Sequence, residues 1–119
     1  MKIIFTGGSG RFGKVFKSKT KLKNVFYPSK KELNILNISS IKKYLLSKKA
    51  KLVIHAAGLS RPMDIHDSNI SLSIDKNIIG TCNLVKICKS LNIKLIYLST
   101  NYVYPGTKGN YKETDPLLP

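Results

Sequence analysis

The sequence has few cysteines and acidic residues and no tryptophan, and none of its apolar runs reaches the roughly 18 residues of a membrane helix. No signal-peptide pattern precedes the first apolar run. Cys82 and Cys88 lie roughly 120° apart around a predicted helix, so they cannot form a disulfide with each other. We therefore expect a cytoplasmic protein in a reducing compartment, with no membrane as a partner.

Metal-binding side chains are equally scarce. His55 ends an apolar run and His66 lies in a polar segment, and neither has a second ligand at a useful interval. The sequence therefore predicts no metal site.

Basic residues are abundant: 21 lysines and arginines against 6 acidic residues give a net charge of +15. Such a charge is compatible with nucleic acid or an anionic membrane surface as a partner. Only Arg11 and Arg61 are arginines, whereas nucleic-acid sites favour arginine interleaved with aromatic residues. We interpret the lysines as solvated helix faces and expect no nucleic-acid partner.

The alternation of apolar runs with helical patterns predicts one small α/β domain. Strands are predicted at 2–6, 24–27, 32–36, 51–57 and 94–99, with helices between them. The longest helix is predicted over 68–91, and residues stepping by three and four are expected to face the sheet: Ile70, Ile74, Ile78, Thr81, Val85 and Cys88. This pattern favours a Rossmann-type, doubly wound parallel sheet of strand order 3-2-1-4-5. Residues 101–119 have no periodicity.

A glycine-rich turn follows the first predicted strand. It comprises Gly7, Gly8, Ser9, Gly10, Arg11, Phe12 and Gly13. Glycines between a strand and an amphipathic helix let backbone N–H groups approach a pyrophosphate at the positive helix N-terminus. A plain turn is the alternative, but the context favours a phosphate cradle. The glycines fit both the Gly-x-x-Gly-x-x-Gly and the tighter Gly-x-Gly-x-x-Gly spacing.

The carboxyl ends of the other parallel strands should lie beside this cradle, where ligands bind in such sheets. Dinucleotide sites for NAD place an acidic residue at the end of the second strand, but this chain has Pro28, Ser29, Lys30 and Lys31 there, and Arg11 in the glycine turn. These residues can neutralise a 2′-phosphate, which favours NADP(H) over NAD(H). At the end of the last strand, the hydroxyl groups of Ser99 and Thr100 are as typical of ordinary capping and turns as of a ligand site.

Two segments near the end of the chain carry a more specific signal. Ser99-Thr100-Asn101-Tyr102-Val103-Tyr104-Pro105-Gly106, with Gly109-Asn110-Tyr111-Lys112-Glu113-Thr114-Asp115-Pro116, closely resembles a segment of the dTDP-4-dehydrorhamnose reductases. These are extended short-chain dehydrogenase/reductases that act on nucleotide sugars. His55-Ala56-Ala57-Gly58, Asn77-Ile78-Ile79-Gly80-Thr81 and the glycine turn also match that family, so the resemblance covers the whole chain.

The resemblance implies a catalytic role for Thr100, whose hydroxyl would bond the sugar carbonyl. It also implies that Ser99, Asn34, Ile35, Ala56, Ala57 and Gly58 contribute to the cofactor site, with Asn34 in place of the family's aspartate near the adenine. The implied substrate is a nucleotide sugar, and the resemblance allows a homodimer without establishing one.

The family's Tyr-x-x-x-Lys pair, a general acid and its partner, is expected to be missing. Tyr102 and Tyr111 lack a lysine four residues on, and Tyr27, which has Lys31, lies at the wrong end of the fold. In the family the pair follows a proline such as Pro119. We therefore expect residues 1–119 to be the amino-terminal, NAD(P)-binding part of a reductase, without the carboxyl-terminal substrate domain and inactive alone. The alternatives are a nucleotide-sugar epimerase or dehydratase, or a non-catalytic nucleotide-binding regulatory module.

Overall fold

A four-stranded parallel sheet organises the chain. The computed structural model describes residues 1–118, without the side chain of Asn101, and Pro119 lies outside the described residues. The strands lie in the order β2-β1-β3-β4, and Ile3 of β1 is opposite Val25 on one side and Leu52 on the other. Their bounds are β1 Ile3–Thr6, β2 Val25–Phe26, β3 Leu52–His55 and β4 Lys94–Tyr97. The predicted parallel α/β sheet is confirmed, and its carboxyl ends share one edge.

Helices connect the strands and cover both faces of the sheet. They are α1 Arg11–Lys19, α2 Ile38–Lys48, α3 Ile65–Ser68, α4 Ile70–Ile74 and α5 Gly80–Ser90, with a π-helical turn Asp75–Ile79 and a 3₁₀ turn Asn101–Val103. The long helix predicted over 68–91 is therefore α4, the π turn and α5 in succession. Between residues 1 and 118, no helix is long and apolar enough to cross a membrane.

The core has two layers because successive strand residues point to opposite faces. Ile4 and Val53 pack with α2 and α5, and Leu45, Leu84 and Cys88 belong to this cluster. The other layer contains the buried residues Ile3, Phe5 and Ile54. The partly buried Phe16 of α1 packs against them. Both layers meet at β1 and β3, which are the central strands.

The predicted strand at 32–36 is wrong, and the sheet has four of the five expected strands in the expected order. Ser29 accepts hydrogen bonds at its carbonyl from the N–H groups of Glu32 and Leu33, at 3.1 and 3.0 Å. These turns use N–H groups that a strand would donate to its neighbour in the sheet. Leu33 and Ile35 are nevertheless buried, so their alternation reflects core packing without strand pairing.

The apolar stripe expected to face the sheet from the long helix is also wrong for most of its members. Four of its residues are 42–60% exposed: Ile70, Ile74, Ile78 and Val85. Gly80, Leu84, Ile87 and Cys88 pack inward instead. The helix carries apolar residues on two sides, and periodicity alone cannot tell which side the sheet covers.

Adjacent leucines on α2 provide a test of this core. Leu45 is fully buried, whereas Leu46 is 53% exposed. Leu45→Ala should lower the free energy of unfolding by about 2–5 kcal/mol, and Leu46→Ala by less than about 0.5 kcal/mol. Urea unfolding of both variants measures the difference, and equal losses would contradict the assignment of the core.

Candidate functional site

The glycine turn between β1 and α1 lies directly against the end of β3. Gly7 has a φ of +81°, and a Cβ there would lie 2.6 Å from the carbonyl carbon of Ala56. A Cβ on Gly13 would overlap the carbonyl oxygen of Gly7 and lie 2.6 Å from the Cα of Gly8. Only glycine fits both positions, so the turn and the β3 end pack closely enough to form one wall of a cleft.

The N-terminus of α1 points its unbonded N–H groups out of this turn. Its N-cap residue is Gly10, which supplies no side-chain cap, and the first turn has no acidic residue. The N–H of Gly10 itself donates to the carbonyl of Gly7 at 3.0 Å. A helix N-terminus with no cap and positive partial charge is suited to an anion such as a phosphate.

A cleft of about 260 Å³, here called the first cleft, opens beside the turn. It brings together most of the predicted cofactor-binding residues with several others. The predicted members are Gly7, Gly8, Ser9, Gly10, Lys30, Asn34, Ile35, Ala56, Ala57 and Gly58. Thr6, Pro28, Leu33 and Lys76, which were not among the predicted cofactor-binding residues, also line it.

Five of the predicted cofactor-binding residues do not line the first cleft: Arg11, Phe12, Gly13, Ser29 and Ser99. Arg11 is exposed, Gly13 is buried beneath the turn, and Phe12 contributes to a separate cleft. Ser29 is turned away because its hydroxyl donates to Glu32 Oε2 at 2.8 Å, as does its N–H. These backbone and hydroxyl bonds hold the Glu32 carboxyl pKa below its ordinary value.

Asn34 lines the first cleft, but its side chain also shapes the backbone there. Its Oδ1 accepts the N–H of Leu36 at 3.0 Å, and its own N–H donates to Ser40 Oγ at 3.1 Å. The expected bond to an adenine amino group therefore has to use the second lone pair of this oxygen.

A second cleft lies on the other side of the β3 end and shares residues 56–58 with the first. Ser99 and Thr100 line it, so the structure separates them from the glycine turn. The N–H of Tyr102 donates to Thr100 Oγ1 at 3.2 Å, which leaves the Thr100 hydroxyl proton free for another acceptor. Other lining residues include Phe12, His55, Asn77, Thr81, Tyr97 and Tyr102.

The second cleft contains no Tyr-x-x-x-Lys pair within the described residues, because neither Tyr97 nor Tyr102 is followed by lysine at the fourth position. Tyr104 is followed by Lys108 at this spacing, but neither residue lines the second cleft. Tyr104 stacks on Tyr111 at 4.9 Å, and its hydroxyl donates to the carbonyl of Lys112 at 3.2 Å.

Two other tyrosines with this spacing lie far from Thr100. Tyr44, which is followed by Lys48, is on α2 outside both clefts. Tyr27, followed by Lys31, packs against Phe5 at a ring distance of 5.4 Å. Neither tyrosine is placed to donate a proton in the second cleft.

Between the two clefts, a buried histidine connects three elements. His55 has no exposed surface, and its Nδ1 accepts a hydrogen bond from the Thr6 hydroxyl. The distance between Thr6 Oγ1 and His55 Nδ1 is 2.7 Å. Its Nε2 donates to Thr81 Oγ1 at 3.0 Å, because the Thr81 hydroxyl donates to the carbonyl of Asn77 at 2.9 Å. Burial lowers the His55 pKa to about 4, so the ring is neutral at physiological pH.

The amide of Asn77 fixes the loop that follows β3. Asn77 Oδ1 accepts the N–H of Leu59 at 2.7 Å, and Asn77 Nδ2 donates to the Leu59 carbonyl at 2.9 Å. Together with His55, this pair ties the wall shared by the two clefts to the long helix. No group of three or more potential metal ligands occurs in the part of the chain that the structure describes.

The neutral state of His55 predicts a pH dependence of stability. The unfolded side chain titrates near its ordinary pKa of 6.5 and the folded one near 4, so only the unfolded state binds the proton between these values. The free energy of unfolding should therefore be fully present above pH 6.5 and fall by about 3 kcal/mol as the pH drops to 4.

Urea unfolding of the wild type, His55→Gln and His66→Gln across this range measures the effect. The slope should disappear in His55→Gln and persist in His66→Gln, which removes the other histidine. An unchanged slope in His55→Gln would show that other groups cause it.

Comparison with known proteins identifies relatives that match most of this chain. GDP-L-colitose synthase of Yersinia pseudotuberculosis is 35% identical over 108 residues, which are 88% of this chain and 35% of that protein. Methionine adenosyltransferase 2 subunit beta of Xenopus laevis is 35% identical over 81 residues, covering 68% of this chain and 24% of that protein. The chain thus spans about a third or less of these relatives.

A solved structure supports the same relationship. The dTDP-4-dehydrorhamnose reductase of Bacillus anthracis, determined in complex with NADP, matches with a TM-score of 0.85 and 27% identity. The match covers 99% of this chain and 43% of that protein. The family described as the RmlD substrate binding domain matches residues 1–119. The chain therefore belongs to the RmlD family, whose solved members include dTDP-4-dehydrorhamnose reductases.

Proposed function

We propose that this chain is the dinucleotide-binding part of a nucleotide-sugar reductase similar to dTDP-4-dehydrorhamnose reductase. The observation that carries the proposal is the uncapped N-terminus of α1, which opens from the glycine turn beside the first cleft. A pyrophosphate bound there accepts backbone N–H groups that have no partner within the helix. The family membership supports the same assignment.

The residues of the first cleft fit a dinucleotide. The glycine turn would hold the pyrophosphate, and Asn34 and Ile35, which line the cleft beyond the end of β2, would hold the adenosine. Lys30 stands where NAD-specific sites place a carboxylate, which favours NADP(H). The structural relative with bound NADP supports this preference, although Arg11 and Ser29 do not line the cleft.

The second cleft is the proposed site for the sugar. When bound, the reduced cofactor supplies a hydride to the substrate. The Thr100 hydroxyl then donates a hydrogen bond to the sugar carbonyl, since its oxygen already accepts the N–H of Tyr102. Residues 56–58 border both clefts and would lie beside the junction between adenosine and nicotinamide halves.

We further propose that residues 1–119 form one dinucleotide-binding unit that turns over slowly or not at all. Tyr97 and Tyr102 are the described tyrosines of the second cleft, and neither has the lysine that lowers a general acid's pKa.

A non-catalytic role is the second candidate. The similarity to methionine adenosyltransferase 2 subunit beta favours it, because that relative is named as a subunit of another enzyme. This role predicts a stable complex with the catalytic subunit of a methionine adenosyltransferase, which size-exclusion chromatography of the mixture would detect.

Gly13 provides a test of the cradle. An alanine Cβ would be 2.6 Å from the Cα of Gly8 and must displace the turn. Gly13→Ala should weaken NADPH binding by at least about tenfold, whereas Gly109→Ala, with no atom within 4 Å of the added Cβ, should bind as the wild type does. Fluorescence titration of NADPH measures both, and wild-type affinity in Gly13→Ala would refute the cradle.

Turnover provides a test of the missing acid. The chain should bind NADPH more tightly than NADH, yet reduce a 4-keto nucleotide sugar about 10²–10⁴-fold more slowly than complete reductases do. The absorbance of NADPH in the presence of dTDP-4-dehydrorhamnose reports the rate. Activity equal to that of a complete reductase would contradict the proposed dependence on a Tyr-x-x-x-Lys pair.

A further inference from the structure

One side of the long helix is held against the segment that follows β2. Asn83 Nδ2 donates to the carbonyl of Ile35 at 3.1 Å, and a Cβ on Gly80 would lie 2.6 Å from Ile35 Cδ1. Lys76 precedes these residues by four and seven positions, so it lies on the same side of the helix, one turn nearer the sheet edge. This packing places Lys76 at the border of the first cleft.

Lys30 borders the same cleft from the end of β2, so two ammonium groups face one cavity. Within residues 1–118, neither lysine forms an ion pair; the pair found there joins Lys108 and Asp115. Burial and the nearby charge of Lys30 lower the Lys76 pKa, only partly offset by Asp75. Two cations placed together in a partly buried cleft are stabilised by an anion between them.

We propose that Lys76 and Lys30 form a clamp for the 2′-phosphate on the adenine ribose, which makes Lys76 a determinant of preference for NADPH over NADH. This inference rests on the proposed function, since it needs a dinucleotide in the first cleft. Lys30 occupies the strand-end position where such folds contact the ribose hydroxyls. Lys76 reaches the same point from the opposite wall.

The clamp lies apart from the glycine turn, which is the proposed pyrophosphate site. The unbonded N–H groups of α1 start at the turn, whereas Lys76 approaches past Ile35, beside the adenosine end of the cleft. A lysine on the pyrophosphate would strengthen binding of both cofactors alike. A lysine on the 2′-phosphate would strengthen binding of NADPH alone.

Titration of the full 119-residue chain with NADPH and with NADH tests the clamp. Lys76→Met should weaken NADPH binding by about tenfold, the loss of roughly one charge-assisted hydrogen bond, and leave NADH binding within about twofold. Lys76→Arg should retain most of the preference. Lys86→Met is the matched control, since Lys86 is exposed on α5 outside both clefts and its loss should change neither affinity.

The possible outcomes separate the two proposals. Unchanged NADPH affinity in Lys76→Met overturns the clamp, and equal losses for NADPH and NADH overturn its assignment to the 2′-phosphate. In both cases the dinucleotide site itself stands. If the wild type binds neither cofactor, both the clamp and the proposed function fail. Circular dichroism of each variant confirms folding, and Lys76→Gln replaces Lys76→Met if the latter unfolds.

Discussion

The close approach of the glycine turn to the end of β3 is the constraint on which the rest of the structure depends. Gly7 has a left-handed backbone, and its Cα hydrogen faces Ala56 where any Cβ would overlap the backbone. The residue before the turn, Thr6, is bonded to His55 at the end of β3. The two central strands are therefore joined at the edge where their carboxyl ends meet.

This junction determines the positions of both clefts. Residues 56–58 follow His55 directly and line the first cleft on one side and the second on the other. Thr81 and Asn77 connect the same junction to the long helix, which in turn carries Lys76 to the first cleft. A ligand that spans the clefts would thus contact β1, β3 and the long helix together, which the neutral His55 connects through Thr6 and Thr81.

Local chemistry made part of this arrangement predictable. The glycine turn, the parallel sheet and the position of Lys30 at the end of the second strand follow from strand, turn and helix signals within short stretches, whereas the place of Asn34 in the cofactor site came from the family resemblance. The strand expected at 32–36 failed because turns at Ser29 and Asn34 use the backbone that pairing would need. An alternating pattern of apolar residues alone cannot distinguish a strand from a series of turns whose apolar side chains are buried.

Tertiary packing decided the remaining features. The side of the long helix that meets the sheet depends on the close packing of the Ile35 side chain against Gly80. These two residues are 45 positions apart in the sequence. Lys76 belongs to that side, and its place at the first cleft depends on the hydrogen bond between Asn83 and Ile35, which are distant in the sequence. Tyr104 and Lys108 have the Tyr-x-x-x-Lys spacing, yet Tyr104 stacks on Tyr111 and neither side chain lines the second cleft. Spacing in the sequence therefore does not by itself place a catalytic pair.

The central claim is that the glycine turn and the N-terminus of α1 bind the phosphates of a dinucleotide. Amide chemical shifts of the isotopically labelled chain, recorded while NADPH is added, test it residue by residue. The account predicts the largest changes at residues 7–13, followed by Lys30 and Asn34, with little change along the exposed side of α2. Changes spread over the lysine-rich helix faces, with none at the turn, would instead indicate nonspecific charge attraction and contradict the account.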